Sequence, residues 1–60
     1  MNVKDLINAG IEIQGTTFIK EYDEETENAK VCNLLAYNDE MAEKEIKYIY
    51  VENGVLIFEV

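Results

Sequence analysis

The sixty residues of this chain predict a small α+β domain: a short N-terminal helix on a four- to five-stranded, mostly antiparallel sheet that closes with a C-terminal hairpin. Three observations carry that expectation. Residues 46–60 place two runs rich in β-branched and aromatic residues on either side of Asn53-Gly54, a pair suited to the two positive φ angles of a type I′ turn. At the other end, Asn2 and Gly10 bracket a segment with helical spacing of its apolar residues. The runs between are separated by connections of hairpin length, and strands joined by hairpins are antiparallel. A small, partly closed β-barrel is the alternative architecture.

Taken in order, residues 2–10 read as a helix. Val3, Leu6 and Ile7 share one face, Asn2 suits the N-cap, Asp5 the electropositive first turn and Gly10 a left-handed stop. A helix of about two turns does not hold in isolation, so tertiary packing must support it. Ile11-Glu12-Ile13-Gln14 alternates as a strand. Gly15 then marks either a bulge in one long strand or the turn between two short ones, and the bent strand is the favoured reading. Residues 16–22 resume the β pattern. Residues 23–28 hold four carboxylates in six positions and read as the connection to a partner strand at 30–37. That partner lacks crisp alternation, as expected of an inner strand or of one carrying an irregularity. At 38–45, Asn38 suits a cap, Asp39 and Glu40 a helix start and Lys44 its end. Met41 is the only large apolar residue there, so this second helix should be a turn or two, exposed on most sides.

A two-residue turn fixes the register of the closing hairpin. Glu52 lies opposite Val55, Val51 opposite Leu56, Tyr50 opposite Ile57, Ile49 opposite Phe58, and Tyr48 opposite Glu59. Opposed residues share a face. One face, with Ile49, Val51, Leu56, Phe58 and Val60, reads as core. The other carries Tyr48, Tyr50, Val55 and Ile57 beside Glu52 and Glu59.

Size and charge bound the function. A chain this short makes one domain and buries only about 60% of its unfolded surface. Small domains usually add disulfides, a metal or self-association. Cys32 is alone and there is no His, so neither a disulfide nor a zinc site is expected. What remains is a well-packed core or a homo-oligomer. Thirteen Asp and Glu face five Lys, for a net charge of −8. Such a field repels nucleic acid and anionic membrane and favours a protein partner with a basic surface. The hydrophobic fraction of 48% argues for folding over disorder. No apolar run approaches the ~20 residues needed to span a bilayer, and residues 1–5 lack the features of a secretory signal. The expected place is the cytoplasm of a bacterial host cell, with Cys32 reduced.

No catalytic residue, cofactor or metal is expected. Nucleophile elbow, phosphate loop and metal box are all missing, and a carboxylate pair would need a pocket to shift its pKa. The acidic stretch 23–28 lacks the glycine and the spacing of a calcium loop and reads as solvated. Glu21, Asp23, Glu24, Glu25, Glu27, Asp39, Glu40 and Glu43 form the candidate partner-binding surface. Rows of carboxylates resemble duplex phosphates, which recur about every 1.7 Å of axis. Tyr48, Tyr50 and Ile57 form the candidate oligomer interface, since tyrosine brings large area with a polar tip. Tyr22 and Tyr37 fall at strand ends. Cys32 reads as a small core residue, with nothing cationic beside it in sequence to activate the thiol.

The opening Lys4-Asp5-Leu6-Ile7-Asn8-Ala9-Gly10-Ile11-Glu12, together with the closing stretch 46–60, resembles small acidic proteins of bacteriophages and mobile elements of Gram-positive bacteria. The resemblance rests on a helix–glycine–strand opening and a closing hairpin. It implies a context rather than a catalytic site: compact acidic proteins that inhibit or sequester components of host defence. The expected function is therefore a non-enzymatic binding protein, an inhibitor of a host defence factor acting through nucleic-acid mimicry. Alternatives are a small-ligand sequestering oligomer, with the lack of Arg and His arguing against anionic nucleotides, and a structural or regulatory homo-oligomer.

Overall fold

Reciprocal hydrogen bonds start the first helix in the computed structural model, which describes residues 1–60. Asn2 Oδ1 accepts the Asp5 N–H at 2.8 Å, and Asp5 Oδ2 accepts the Asn2 N–H at 3.0 Å. This capping box satisfies two donors that a helix start leaves unpaired. Helix α1 spans Val3–Asn8. It ends where Gly10 adopts a φ of 77°. The Gly10 N–H then donates to the Ile7 carbonyl and the Ile11 N–H to the Leu6 carbonyl, a Schellman closure. Helix α2, Asp39–Ala42, is capped by Asn38, whose side chain accepts the Met41 N–H at 3.1 Å. Both Met41 and Ala42 are buried beneath it.

Four strands follow from the two hairpin signals: β1 (Thr17–Asp23), β2 (Asn28–Asn33), β3 (Tyr48–Glu52) and β4 (Val55–Glu59). Their order across the sheet is β2-β1-β4-β3. The β3–β4 register is the expected one throughout, from Glu52 opposite Val55 to Tyr48 opposite Glu59. Asn53 and Gly54 have φ of 52° and 76°, as a type I′ turn requires. In the β1–β2 connection, Asp23 Oδ1 accepts the Glu25 N–H at 3.0 Å, and Glu27 takes a φ of 57° to bring the chain back. The two hairpins meet through β1 and β4, which run parallel with Ile19 beside Phe58. The sheet is thus mixed, antiparallel at two of its three junctions, and it does not close into a barrel.

Register decides the faces. Ile19 lies beside both Cys32 and Phe58, so these three side chains point the same way. Both helices sit on that side. Val3, Ile19, Met41, Ala42, Phe58 and Val60 form the core, with Leu6, Ile7, Ile13, Cys32, Leu34, Tyr37, Ile46 and Leu56 packed around it. Polar ties hold the layer together. Lys4 reaches Asp39 and Glu43 at 3.6 and 3.0 Å, Lys44 pairs with Glu21, and the Ile46 N–H donates to the Met1 carbonyl at 2.9 Å.

Three expectations are corrected. Residues 11–14 form no strand but an irregular connection, and Gly15, at φ 89°, bends that connection rather than a strand. A segment folded back at Gly15 has no place beside β1, whose flanks are taken by β2 and β4; Ile13 packs into the core instead. The partner expected at 30–37 is shorter and starts earlier. The Asn33 side chain ends it by accepting the Leu35 N–H at 2.9 Å and starting a 3₁₀ turn, Leu34–Ala36. This strand lies at a sheet edge, not inside. Finally, Ile49 and Val51 are not core. They share the helix-bearing face with Phe58 but remain 58% and 68% exposed, because β3 is the outermost strand and the core the helices form reaches Ile19 and Phe58 but no residue of β3.

Candidate interaction surface

The face of the sheet turned away from the helices has nothing over it. Its central row runs Asn33, Phe18, Ile57 and Tyr50 from β2 to β3; the next runs Val31, Lys20, Glu59 and Tyr48. Tyr22 and Val55 extend the same face. Phe18, Tyr50, Val55 and Ile57 are half-buried, whereas Tyr22, Val31 and Tyr48 are exposed. None of the seven packs against the core. The only charges within these rows are Lys20 and Glu59, side by side in register, and the Tyr50 hydroxyl donates to Glu59 Oε1 at 3.1 Å. That bond ties the Tyr50 side chain on β3 to its neighbour strand β4.

Tyr48, Tyr50 and Ile57, singled out from the sequence, thus lie together on this surface. Phe18, Tyr22 and Val31 belong to it as well, and sequence reasoning missed them. Their membership depends on the β1–β4 register, for which no local signal exists. Leu35, 94% exposed on the 3₁₀ turn, was likewise invisible while residues 30–37 read as one strand. Tyr37 packs against the core cluster from beyond the 3₁₀ turn. Cys32 is a free thiol, half-buried beside Ile19.

The eight acidic positions separate into two kinds. Glu21, Asp39 and Glu43 are engaged in ion pairs, Glu21 with Lys44 and the other two with Lys4. The hydrogen bond from Lys44 holds the Glu21 carboxyl below its usual range, against the opposing effect of desolvation. The same bond raises the Lys44 ammonium, and the bond to Glu43 raises Lys4. Asp23, Glu24, Glu25 and Glu27, at the β1–β2 tip, and Glu40, on α2, belong to no ion pair. The tip carboxylates are all exposed. They follow Tyr22 directly in the chain, so an acidic tip adjoins the open face.

One cleft of about 430 Å³ lies at the β1–β2 tip, mostly on the helix-bearing side, lined by Glu21, Tyr22, Asp23, Thr26, Asn28, Lys30 and Lys44. Its lining residues are polar but for Tyr22 and of mixed charge. No three potential metal-ligating side chains converge anywhere in the chain, and no helix is long and apolar enough to cross a membrane. No family model matches this chain, and neither a curated protein nor a solved structure matches it.

Proposed function

We propose that this chain is a non-enzymatic binding protein that occupies a basic protein surface in the bacterial cytoplasm, as a phage-encoded inhibitor of a host defence factor would. The observation that carries the reading is an uncovered aromatic and apolar sheet face adjoined by a tip of unpaired carboxylates. Apolar area with tyrosines supplies contact energy, and tyrosine is favoured where one side of a contact is apolar and the other wet. Asp23, Glu24, Glu25 and Glu27 supply the charge that steers a cationic partner, and they take the place of the phosphates that such a groove ordinarily holds. The net charge of −8 works in the same direction.

Capture of partners from bacterial host lysate, at low salt and at about 0.5 M, tests this. At 0.5 M the Debye length falls to about 4–5 Å, so capture should be lost there. It should also be lost at low salt with Glu24, Glu25 and Glu27 together changed to Lys. Changing Tyr48 and Tyr50 to Ser should weaken capture without altering its salt dependence. Capture that survives 0.5 M salt and the triple charge reversal refutes the electrostatic mechanism.

A further inference from the structure

From the free edge of β3 we infer that two copies of this chain pair antiparallel through that strand, Tyr50 opposite Tyr50, to make one continuous eight-stranded sheet. The backbone directions can be read from the neighbouring junction. The Leu56 N–H donates to the Thr16 carbonyl at 3.2 Å and the Val60 N–H to the Lys20 carbonyl at 2.8 Å. The backbone groups of Leu56, Phe58 and Val60 therefore face β1, and those of Val55, Ile57 and Glu59 face β3. On β3, it follows that Tyr48, Tyr50 and Glu52 bond to β4. Ile49 and Val51 turn their N–H and C=O groups outward, to an edge with no strand beside it.

Between Tyr48 and Glu52 that edge lacks the usual protections, and only at its start does the backbone turn inward, the Lys47 N–H donating to the Glu59 carbonyl at 2.8 Å. Edge strands are blunted by lysine, proline, bulges or inward charges, and β2, the other edge, carries Lys30 in mid-strand. Residues 48–51 read Tyr-Ile-Tyr-Val, with Lys47 and Glu52 only at the two ends. The segment is self-complementary about Tyr50. In the antiparallel two-fold register, Ile49 lies opposite Val51 of the second copy and exchanges both hydrogen bonds with it, and the symmetry repeats the exchange. On one face the exposed Ile49 and Val51 of each copy cover those of the other. On the opposite face the Tyr50 rings meet. Each Lys47 comes to the Glu52–Asn53 end of the other strand, which places opposite charges together at both ends of the join.

A second copy is the occupant the charges allow. Two chains of −8 repel, but the acidic tip belongs to β1 and β2, two and three strands from the β3 edge. At ~4.8 Å per strand that is about 10–14 Å, beyond the Debye length of about 8 Å at physiological ionic strength. The remaining repulsion is screened further as salt rises. The dimer therefore strengthens with salt, opposite in sign to capture of a basic partner, and the two readings stand or fall separately. A five-residue edge buries less than the roughly 1,600 Å² of a standard interface, so association is weak, with a dissociation constant on the order of tens to hundreds of micromolar.

Sedimentation equilibrium of the full chain from about 10 µM to 1 mM, at low and high salt, is the test. The mass should rise from 6.9 kDa toward twice that value, at lower concentration when salt is high. Changing Ile49 and Val51 together to Lys should weaken association at least about tenfold, because it sets four ammonium groups on one face of the join. In the unmodified chain, amide exchange at Ile49 and Val51 should slow as concentration rises. A chain that stays monomeric across both ranges overturns the inference. So does a dimer that tolerates the two lysines and leaves those amides exchanging at their dilute rate, since it would then form through another surface.

Discussion

Ile19 and Ile49 stand in one row of the sheet, one on each side of Phe58, yet Ile19 is 0% and Ile49 58% exposed. The same substitution at the two positions therefore measures how far the helix layer reaches. Ile→Val deletes one methylene and keeps β-branching. At Ile19 the full transfer term of about 0.8 kcal/mol applies, and the unfilled space raises the cost to about 1 kcal/mol. At Ile49 the transfer term scales with the buried fraction to about 0.3 kcal/mol, and there is no cavity to leave. Urea unfolding followed by far-ultraviolet circular dichroism resolves the two. With an m-value near 1 kcal/mol per molar for a chain of this size, Ile19→Val should lower the midpoint by about 1 M and Ile49→Val by about 0.3 M. The total stability of sixty residues is about 3–9 kcal/mol, so both variants remain folded. The work belongs at low micromolar concentration, where β3 is unpaired. Equal losses at the two positions under those conditions would show Ile49 covered within the monomer and would refute the account of an uncovered edge.

Three further outcomes follow from single residues. Gly54→Ala meets no steric obstacle, since nothing lies within 4 Å of the added carbon. Its cost is the backbone strain of φ 76°, about 1 kcal/mol, read as a fall in Tm of about 4–8 °C. Glu27→Gly should do the reverse, raising stability by a few tenths to about 1 kcal/mol by relieving a non-glycine φ of 57°; an unchanged or lower Tm contradicts this. The Glu21–Lys44 pair sets a pH window. Glu21 is depressed, so its contribution exists above the ordinary carboxylate pKa and is lost as pH falls through the lower folded value. Lys44 is raised, so its contribution exists below the ordinary lysine pKa and is lost as pH climbs through the higher folded value. The destabilisation by Lys44→Met, read as a urea midpoint, should be largest between about pH 5 and 10 and shrink on either side. A difference that is flat across acid pH would show that the pair does not act in solution.

The parts of the fold legible in the sequence are those fixed within a few residues. Asn53-Gly54 dictates a turn, the turn dictates a register, and the whole β3–β4 pairing follows. Asn2, Asp5 and Gly10 define α1 through side-chain and backbone bonds that span at most five residues. Ile11-Glu12-Ile13-Gln14 carries an equally clean local pattern and forms no strand. Alternation describes which side chains face inward, and Ile13 does face the core, but hydrogen-bonding partners come from elsewhere in the chain. The parallel junction of β1 and β4 has no local signature either. It joins the first strand to the last across two hairpins' worth of chain, and it alone decides that both lie in the middle.

The same division runs through the candidate surface. Tyr48, Tyr50 and Ile57 were placed on one face by the turn, while Phe18, Tyr22 and Val31 could join them only through the β1–β4 register. For the acids, residue type and exposure were legible, but the pairing of Glu21 with Lys44 and of Asp39 and Glu43 with Lys4 links distant segments. Ile49 and Val51 show that assigning a face is different from assigning cover. A helix is ~10 Å across, and strands lie ~4.8 Å apart, so one helix layer roofs about two strands. Here that layer consists of helices of six and four residues, which share the core with Ile19 of β1 and Phe58 of β4. An outer strand on the helix side, and every strand on the other side, then lies beyond its reach. The free edge and the open face thus follow from the reach of that helix layer. Their composition, apolar and aromatic at residues 48–51 and at Phe18 and Ile57, is what turns that exposure into surfaces for association.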